Sequence, residues 1–218
     1  MTLFNTSLIH KTSIFLAAAM LSVSAMATDV SATDVNRAQR MANQGDAEAQ
    51  VALGAMYNLG EGVRQDYTKA AHWFEKAANQ GNEFAQYMLA TMYKDGNGVR
   101  QDYTKAAHWF EKAANQGNAD TQYNLGLMYY KGLGVRHDYS KAVKWYTKAA
   151  NQSFTGTQYS EANKQGVINA QYSLGFMYYE GLGVRQNYVV AKEWFGKACD
   201  NGYQNGCDAY KELNQQGY

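Results

Sequence analysis

Hydrophobic positions recur along most of the chain with the period of an α-helix. Residues 119–131 show the first of two patterns, with Leu125, Met128 and Tyr129 on one helical face and the small Gly126 beside them. Apolar residues spaced three and four apart lie on one side of an amphipathic helix. The pattern therefore predicts a helix with one buried face.

A second helical pattern follows after a short turn that is rich in glycine. Residues 60–63 read Gly-Glu-Gly-Val, and such glycines are typical of turns. Asp66 then stands where its carboxylate would cap the exposed amides of a new helix. Gly81 lies where a residue in the left-handed backbone conformation commonly ends a helix. The apolar positions of this second helix are Tyr67, Ala70, Trp73, Phe74 and Ala77.

Together the two helical patterns form a unit that repeats along the chain. Residues 62–82 and residues 98–118 are identical and lie 36 positions apart. A fixed period of this length is typical of repeat architectures. Because one helix pair cannot cover its own apolar face, neighbouring pairs are expected to stack. We predict an all-α fold, a solenoid of helix-turn-helix repeats.

The period breaks once in the C-terminal half of the chain. One column of the repeat holds glutamine at a spacing of 36, at Gln50, Gln86, Gln122 and Gln158. The next equivalent, Gln171, follows Gln158 after only 13 positions. We interpret residues 154–166 as a repeat that has lost 23 residues. For residues 153–166 two conformations stay open, a continued helix or a loop.

The repeat register divides the chain into segments, beginning with residues 1–27, which differ in composition from the rest. Residues 28–45 form an N-terminal linker and capping half-repeat, and residues 203–218 form a C-terminal capping half-repeat. The array between them covers residues 46–202. Its repeats are 46–81, 82–117, 118–153, the truncated 154–166, and 167–202.

The first 27 residues have the pattern of a secretory signal peptide. Lys11 precedes an apolar run at residues 14–23, and residues 25–27 read Ala-Met-Ala, a small-residue cleavage site. The run is shorter than the roughly 20 residues that a membrane-spanning helix needs. We expect the mature chain to begin at Thr28, to be periplasmic or secreted, and to make no membrane insertion.

Charge and cysteine content narrow the choice of partner and compartment. The chain has 20 Lys+Arg and 19 Asp+Glu, so it lacks the basic excess that nucleic-acid binding requires, and we expect no nucleic-acid partner. Its two cysteines, Cys199 and Cys207, lie eight residues apart across a predicted helix-turn-helix. In an oxidising compartment, we expect a disulfide rather than a reactive thiol pair.

The parts of the unit form a specific motif. It reads Ala-x-x-x-Leu-Gly-x-x-Tyr, then Gly-x-Gly-Val-x-x-Asp-Tyr, then Ala-x-x-Trp-Phe-x-Lys-Ala-Ala-x-x-Gly, and it covers residues 45–151 and 166–202. This motif resembles the Sel1-like repeat, a relative of the tetratricopeptide repeat. Ala90 replaces the first-helix glycine once, and Ser153 replaces one closing glycine. The resemblance implies a right-handed α/α superhelix (solenoid) and a role as a binding scaffold. In secreted cysteine-rich members of the family, disulfides join helices at a similar spacing between the two cysteines.

No catalytic motif was found in the sequence. Some cysteine-rich members are linked to beta-lactam binding or hydrolysis, yet no serine here has Lys three residues later, as the Ser-x-x-Lys nucleophile motif requires. His72 and His108 share a repeat column with Lys144 and Glu193, so we interpret them as solvent-facing. We predict a non-enzymatic protein with no metal and no cofactor. The alternative, a beta-lactam-binding or hydrolysing enzyme, would turn over a chromogenic beta-lactam.

Aromatic residues occupy an unexpected face of the first helices. If Leu125 marks the buried side, about 100° per residue turns Asp120, Tyr123, Leu127 and Tyr130 to the opposite side. Those positions should be polar, yet their columns gain aromatic residues toward the C-terminus. The predicted partner-binding residues are Phe84, Tyr87, Tyr123, Leu127, Tyr130, Tyr172, Phe176 and Tyr179.

These aromatic positions have two interpretations. They line the concave wall of the implied superhelix and bind a protein or peptide partner, since tyrosine gives a large contact area with a polar end. Alternatively, they pack between adjacent first helices and are mostly buried. We predict an exported, non-catalytic scaffold that binds its partner through this face. An envelope assembly factor is a variant of the same role.

Overall fold

A computed structural model of the chain describes residues 31–153 and 161–218. The predicted signal peptide, residues 1–27, lies outside the described residues, and so do residues 154–160 of the predicted truncated repeat. Within the described ranges the regular structure consists of ten helices and no strands. The prediction of an all-α fold built from helix pairs is confirmed.

The helices belong to two compact units, Met1–Asp102 and Tyr103–Tyr218, called the first and second units below. Those of the first unit are α1 (Ala32–Asn43), α2 (Ala47–Leu59), α3 (Tyr67–Asn79) and α4 (Glu83–Asp95). Those of the second unit are α5 (Tyr103–Ala114), α6 (Ala119–Lys131), α7 (Tyr139–Ala150), α8 (Glu161–Glu180), α9 (Tyr188–Asp200) and α10 (Gln204–Gln215). In the repeat, α2, α4, α6 and α8 are first helices and α3, α5, α7 and α9 are second helices.

Side-chain caps set where the second helices begin. The carboxylate of Asp66 accepts a hydrogen bond from the Lys69 amide at 3.0 Å, and that of Asp138 accepts one from the Lys141 amide at 2.9 Å. The first turn of a helix leaves these amides without a backbone partner. The predicted capping role of both aspartates is confirmed.

A left-handed glycine closes α3, as its sequence position predicts. Gly81 has a φ of 92°, a value that residues with a Cβ rarely adopt. Its amide donates to the Ala78 carbonyl at 3.0 Å, and the Asn82 amide donates to the Ala77 carbonyl at 3.1 Å. This pair of bonds satisfies carbonyls at the helix end and turns the chain directly into α4.

A buried aromatic ring of the second helix packs onto the glycine of the first. In the second unit, a Cβ placed at Gly126 would lie 2.7 Å from the ring of Tyr146, so the helix backbone of α6 contacts that ring directly. Tyr146 is only 2% exposed. The buried residues that surround it come from α6, α7 and α8: Ala119, Ala142, Ala149, Ala150, Val167, Ala170, Leu174 and Met177. The third repeat and the last one therefore share one core.

The first unit repeats this packing with phenylalanine in place of Tyr146. A Cβ at Gly54 would lie 2.8 Å from the Phe74 ring, and Phe74 is completely buried. Leu53 and Trp73 are buried in the neighbouring cluster with Ala42 and Ala49. The same column of the repeat thus supplies the central ring of both cores.

The glutamine column that defines the period links each first helix to the preceding second helix. The Gln86 side-chain amide donates to the Ala78 carbonyl at 3.1 Å across eight residues of sequence. Gln171 donates likewise to the Ala150 carbonyl at 3.4 Å, although 21 residues separate the two. The last repeat therefore docks on the third one in the regular register.

The described part of the predicted truncated repeat extends a first helix. Helix α8 has 20 residues, whereas α6 has 13, and residues 161–166 form its first turns. A Cβ at Gly166 would lie 2.4 Å from the Asp120 backbone, so this extension packs closely against the start of α6. Helix α7 ends at Ala150 and does not continue to Ser153, whereas residues 161–166 begin the following helix, which neither conformation left open by the sequence describes.

A disulfide joins the last two helices. Cys199 on α9 and Cys207 on α10 are bonded, with 4.5 Å between their Cα atoms. The bond ties the C-terminal capping helix to the last repeat. None of the described helices has the length and apolar character needed to cross a membrane.

Candidate partner-binding face

The predicted partner-binding residues are neither core residues nor fully exposed ones. All eight are half-buried. Phe84 and Tyr87 lie on α4 of the first unit, whereas the other six lie on α6 and α8 of the second unit. Each of these side chains therefore contacts neighbouring residues and keeps part of its surface open to solvent, a state that either interpretation of the sequence allows.

On α6, the ring of Tyr123 packs against Tyr146, which takes the core position that phenylalanine holds in the other repeats. The rings of Tyr123 and Tyr146 stack with centroids 5.7 Å apart, and Ser173 on α8 lies near both phenols. Further along the helix, the ring of Tyr130 lies 5.5 Å from that of Tyr139. Helices α6, α7 and α8 thus hold Tyr123 in a defined position.

The phenols of this cluster stay neutral across the physiological range. Burial raises the pKa of Tyr123, the nearby phenol of Tyr203 raises it further, and the nearby Ser173 partly opposes the rise. Burial likewise raises the pKa of Tyr146 far above its ordinary value. A neutral phenol both donates and accepts hydrogen bonds. The hydroxyls of the cluster are therefore polar but uncharged.

On α8, Tyr172 lies between two other aromatic rings. Its centroid is 5.3 Å from that of Phe195 on α9 and 5.0 Å from that of Tyr203, the residue before α10. Burial raises the pKa of Tyr172, and the phenol of Tyr203 adds to the rise. Phe176 packs against the buried Phe195 and Leu213 in the same cluster.

The aromatic row of the second unit continues toward the end of α8. The Tyr179 ring lies 5.3 Å from that of Tyr188, which lies 4.7 Å from that of Tyr218. In the first unit, Phe84 contacts the core ring of Phe74 edge-on at 6.2 Å. The second unit therefore holds most of the partly exposed aromatic surface that the sequence predicts.

Three residues of this aromatic cluster were missed by the sequence interpretation, although each had a signal. Tyr146 breaks a column that otherwise reads Phe74, Phe110 and Phe195, and a buried phenol usually needs a hydrogen-bond partner. Ser173, which lies near this phenol, is a small polar residue on a first helix. Tyr203 stands in the N-cap column, where aromatic residues are not expected.

One carboxylate lies beside the tyrosine cluster. Asp120 on α6 is half-buried, and the Asn124 side-chain amide donates to its Oδ2 at 3.1 Å. Its negative charge also contributes to the raised pKa of Tyr123. The surface around Tyr123 is therefore electronegative as well as aromatic.

The turn between α6 and α7 forms an open depression of about 720 Å³ with polar residues. Arg136, His137 and Asp138 line it, but the Asp138 carboxylate caps α7 and the His137 ring packs edge-on against Tyr139 at 4.2 Å. Both side chains thus have structural roles. Among the described residues, no group of three or more His, Cys, Asp or Glu is placed to hold a metal ion.

Two solved structures share the architecture described above. A Sel1 repeat protein from Oxalobacter formigenes is 33% identical, with a TM-score of 0.69 over 85% of this chain and 50% of that one. A protective antigen present in uropathogenic Escherichia coli strains, which displays an SLR fold, is 37% identical, with a TM-score of 0.73 over 84% of this chain and 36% of that one. The chain thus spans half or less of the length of these proteins.

The repeats themselves match a known family. No curated protein matches the chain. The Sel1 repeat matches four segments, residues 47–82, 84–118, 119–154 and 168–203. These segments cover most of the helix pairs described above and leave out residues 155–167, where the period breaks. The chain belongs to the Sel1 repeat family.

Proposed function

We propose that this protein is an exported, non-catalytic scaffold that binds a protein or peptide partner through the aromatic face of its first helices. Sel1 repeat proteins are generally protein-interaction scaffolds. The observation that carries the proposal is the half-buried state of the aromatic residues on α6 and α8. Rings held on one edge by the core keep the other edge available at little entropic cost on binding.

The binding surface that we propose is centred on the second unit. It consists of Tyr123, Leu127, Tyr130, Tyr172, Phe176 and Tyr179. Contacts with Tyr146, Phe195 and Tyr188 hold three of these rings in place. Preorganised aromatic side chains of this kind are typical of the residues that dominate binding energy at interfaces. Phe84 and Tyr87 would offer a smaller surface on the first unit.

Changing Tyr123, Tyr130 and Phe176 together to Ala should abolish capture of the partner from an envelope extract. The variant removes three aromatic contacts, each of which costs about 1 kcal/mol or more at an interface. The measurement is affinity capture by the oxidised, mature protein, with helical circular dichroism as a check on folding. A matched control changes the exposed Tyr67, Val189 and Tyr210 to Ala and should capture normally.

Cross-linking tests the same surface without removing any of its rings. A photoreactive amino acid at Leu127, in the middle of the proposed surface, should form a covalent adduct with the partner. The same amino acid at the exposed Tyr67 should form none. Capture that survives the triple substitution, together with equal adducts at both positions, would rule out this face as the binding surface.

A further inference from the structure

The residue before α10 departs from the capping rule that α2, α4 and α6 follow. Asp46, Asn82 and Asn118 each accept a hydrogen bond from a backbone amide of the helix that they precede. Tyr203 occupies the same position of the repeat, and its side chain makes no capping bond. The ring instead lies 5.0 Å from that of Tyr172. At this position a helix cap is replaced by an aromatic contact.

Tyr203 brings together phenols from successive repeats. It lies within electrostatic range of both Tyr123 on α6 and Tyr172 on α8. All three side chains are half-buried, so each presents part of its ring to solvent. The faces of aromatic rings carry negative potential, so the solvent-exposed parts of these rings can attract a cation.

The charged residues of the surrounding helices add to this negative potential. Asp120 lies beside Tyr123, and the exposed Asp208 and Glu212 of α10 occupy the repeat positions of Tyr172 and Phe176. The acidic residues of α6, α8 and α10 are Asp120, Glu161, Glu180, Asp208 and Glu212. The basic residues of these helices are Lys131, Lys164 and Lys211.

One of these lysines is paired, since the Lys164 amine lies 2.7 Å from the Glu161 carboxylate. Lys211 is exposed and occupies the repeat position of Gly175. The three helices together carry five acidic and three basic residues, so acidic side chains are in excess on them.

We propose that Tyr123, Tyr172 and Tyr203, together with the carboxylates of Asp120, Asp208 and Glu212, accept arginine or lysine side chains of a basic peptide segment. This inference rests on the proposed function and names the chemistry of its partner. A cation over an aromatic face is attracted by the ring quadrupole, and the planar guanidinium of arginine also stacks on the ring. The carboxylates steer the basic segment to the surface.

Peptide binding to the mature, oxidised protein tests this inference. The probe is a fluorescein-labelled peptide, Gly-Leu-Arg-Tyr-Arg-Leu-Arg-Leu-Gly, and two matched peptides carry citrulline or glutamate in place of every arginine. Fluorescence anisotropy should show that the arginine peptide binds about tenfold or more tightly than the citrulline peptide, since only arginine carries the charge. Its affinity should fall with rising salt, which screens the carboxylates.

Two single substitutions locate the binding site of the arginine peptide. Tyr203→Asn removes the ring and supplies the missing helix cap, and Asp120→Asn removes one charge. Each should weaken binding of the arginine peptide by about three- to tenfold. The controls are Tyr67→Asn and Asp95→Asn, at exposed positions of the first unit, and both should bind as the wild type does. Circular dichroism verifies that all four variants are folded.

The outcomes separate this inference from the proposed function. If the citrulline or glutamate peptide binds as tightly as the arginine peptide, or if none binds, the basic-partner inference is overturned. It is also overturned if the arginine peptide binds equally well to the Tyr203→Asn and Asp120→Asn variants. The proposed function is decided separately, by capture and by cross-linking at Leu127.

Discussion

At the scale of single residues, one hydroxyl group distinguishes the core ring of the third repeat from those of the other repeats. Tyr146 takes the position that Phe74, Phe110 and Phe195 hold elsewhere, and it is almost completely buried. Ser173 on α8 lies near its hydroxyl and that of Tyr123. Because a buried phenol without a partner is costly, we predict that the Tyr146 hydroxyl shares a hydrogen bond with Ser173.

A double-mutant cycle measures this bond. Tyr146→Phe should lower the free energy of unfolding by about 1 kcal/mol, because it leaves Ser173 with one partner fewer. Ser173→Ala should cost a similar amount, and the double variant should cost less than the sum of the two, since removing both partners is nearly neutral. Urea denaturation provides the measurement.

The control for this cycle is Tyr67→Phe, which removes a hydroxyl from a side chain that is 39% exposed. It should change the free energy of unfolding by less than about 0.5 kcal/mol. Strict additivity of Tyr146→Phe and Ser173→Ala would contradict the shared bond.

At the scale of elements, α10 is the helix that depends most on a covalent bond. Its buried residues are Gly206 and Leu213 alone, and it has no side-chain cap at its N-terminus. Helix α6, by comparison, buries six residues and is capped by Asn118. A short helix with so little buried surface is marginal by itself, so the Cys199–Cys207 disulfide has a large share in holding it.

Replacing Cys199 and Cys207 with Ala should release α10 while leaving the earlier helices in place. Closing a loop of this length is worth about 2–3 kcal/mol in the chain-entropy account. Hydrogen exchange followed by mass spectrometry should therefore show faster exchange in peptides that cover Gln204–Gln215. Peptides from α2 and α3 serve as the internal control and should exchange at the wild-type rate. Unchanged exchange in α10 would show that packing alone holds this helix.

At the scale of the whole molecule, the aromatic surface and the disulfide both lie in the second unit, whereas the charge of the chain is nearly balanced. A balanced charge gives no long-range attraction to polyanions. Recognition then depends on a local surface, such as the aromatic one on α6 and α8. The disulfide is typical of proteins in oxidising compartments, which supports the proposed export.

Export predicts a specific processed form. When the full chain is expressed in a bacterium, the protein recovered from the envelope should begin at Thr28 and contain the Cys199–Cys207 disulfide. Intact mass before and after alkylation measures both features. A variant without residues 1–27 should stay in the cytoplasm and carry two free thiols, because that compartment is reducing. A full-length, reduced protein in the envelope fraction would contradict the proposal.

Local features of the fold could be predicted from the sequence residue by residue. Asp66 and Asp138 cap helices and Gly81 ends one, because these roles depend only on a few neighbouring residues. The glutamine column could be recognised as a period, but its hydrogen bonds could not, since Gln171 contacts Ala150 across 21 residues. The direct docking of the last repeat on the third one could not be predicted either, because it also depends on contacts between residues that are distant in sequence.

The candidate site likewise has features that the sequence predicts and features that depend on contacts between helices. Helical periodicity selected Tyr123, Tyr172 and Tyr179 as residues of one face of the first helices, and the spacing of the cysteines in an oxidising compartment predicted the disulfide that the structure contains. Periodicity could not tell how deeply those rings lie, because the depth depends on neighbours from other helices, such as Tyr146 beside Tyr123. Tyr203 escaped notice since its contact with Tyr172 joins positions of different repeats.

The sequence by itself determined the helix pairs, those helix ends that carry a capping aspartate or a closing glycine, and the 36-residue register, because each follows from contacts within a turn or two of the chain and from direct copying of the unit. Only the tertiary structure decided that the break at residues 154–166 leaves the stacking intact, that the aromatic residues are half-buried, and that Tyr203 joins them. These features depend on side chains that are distant in sequence and adjacent in space, and a helical period carries no information about such neighbours.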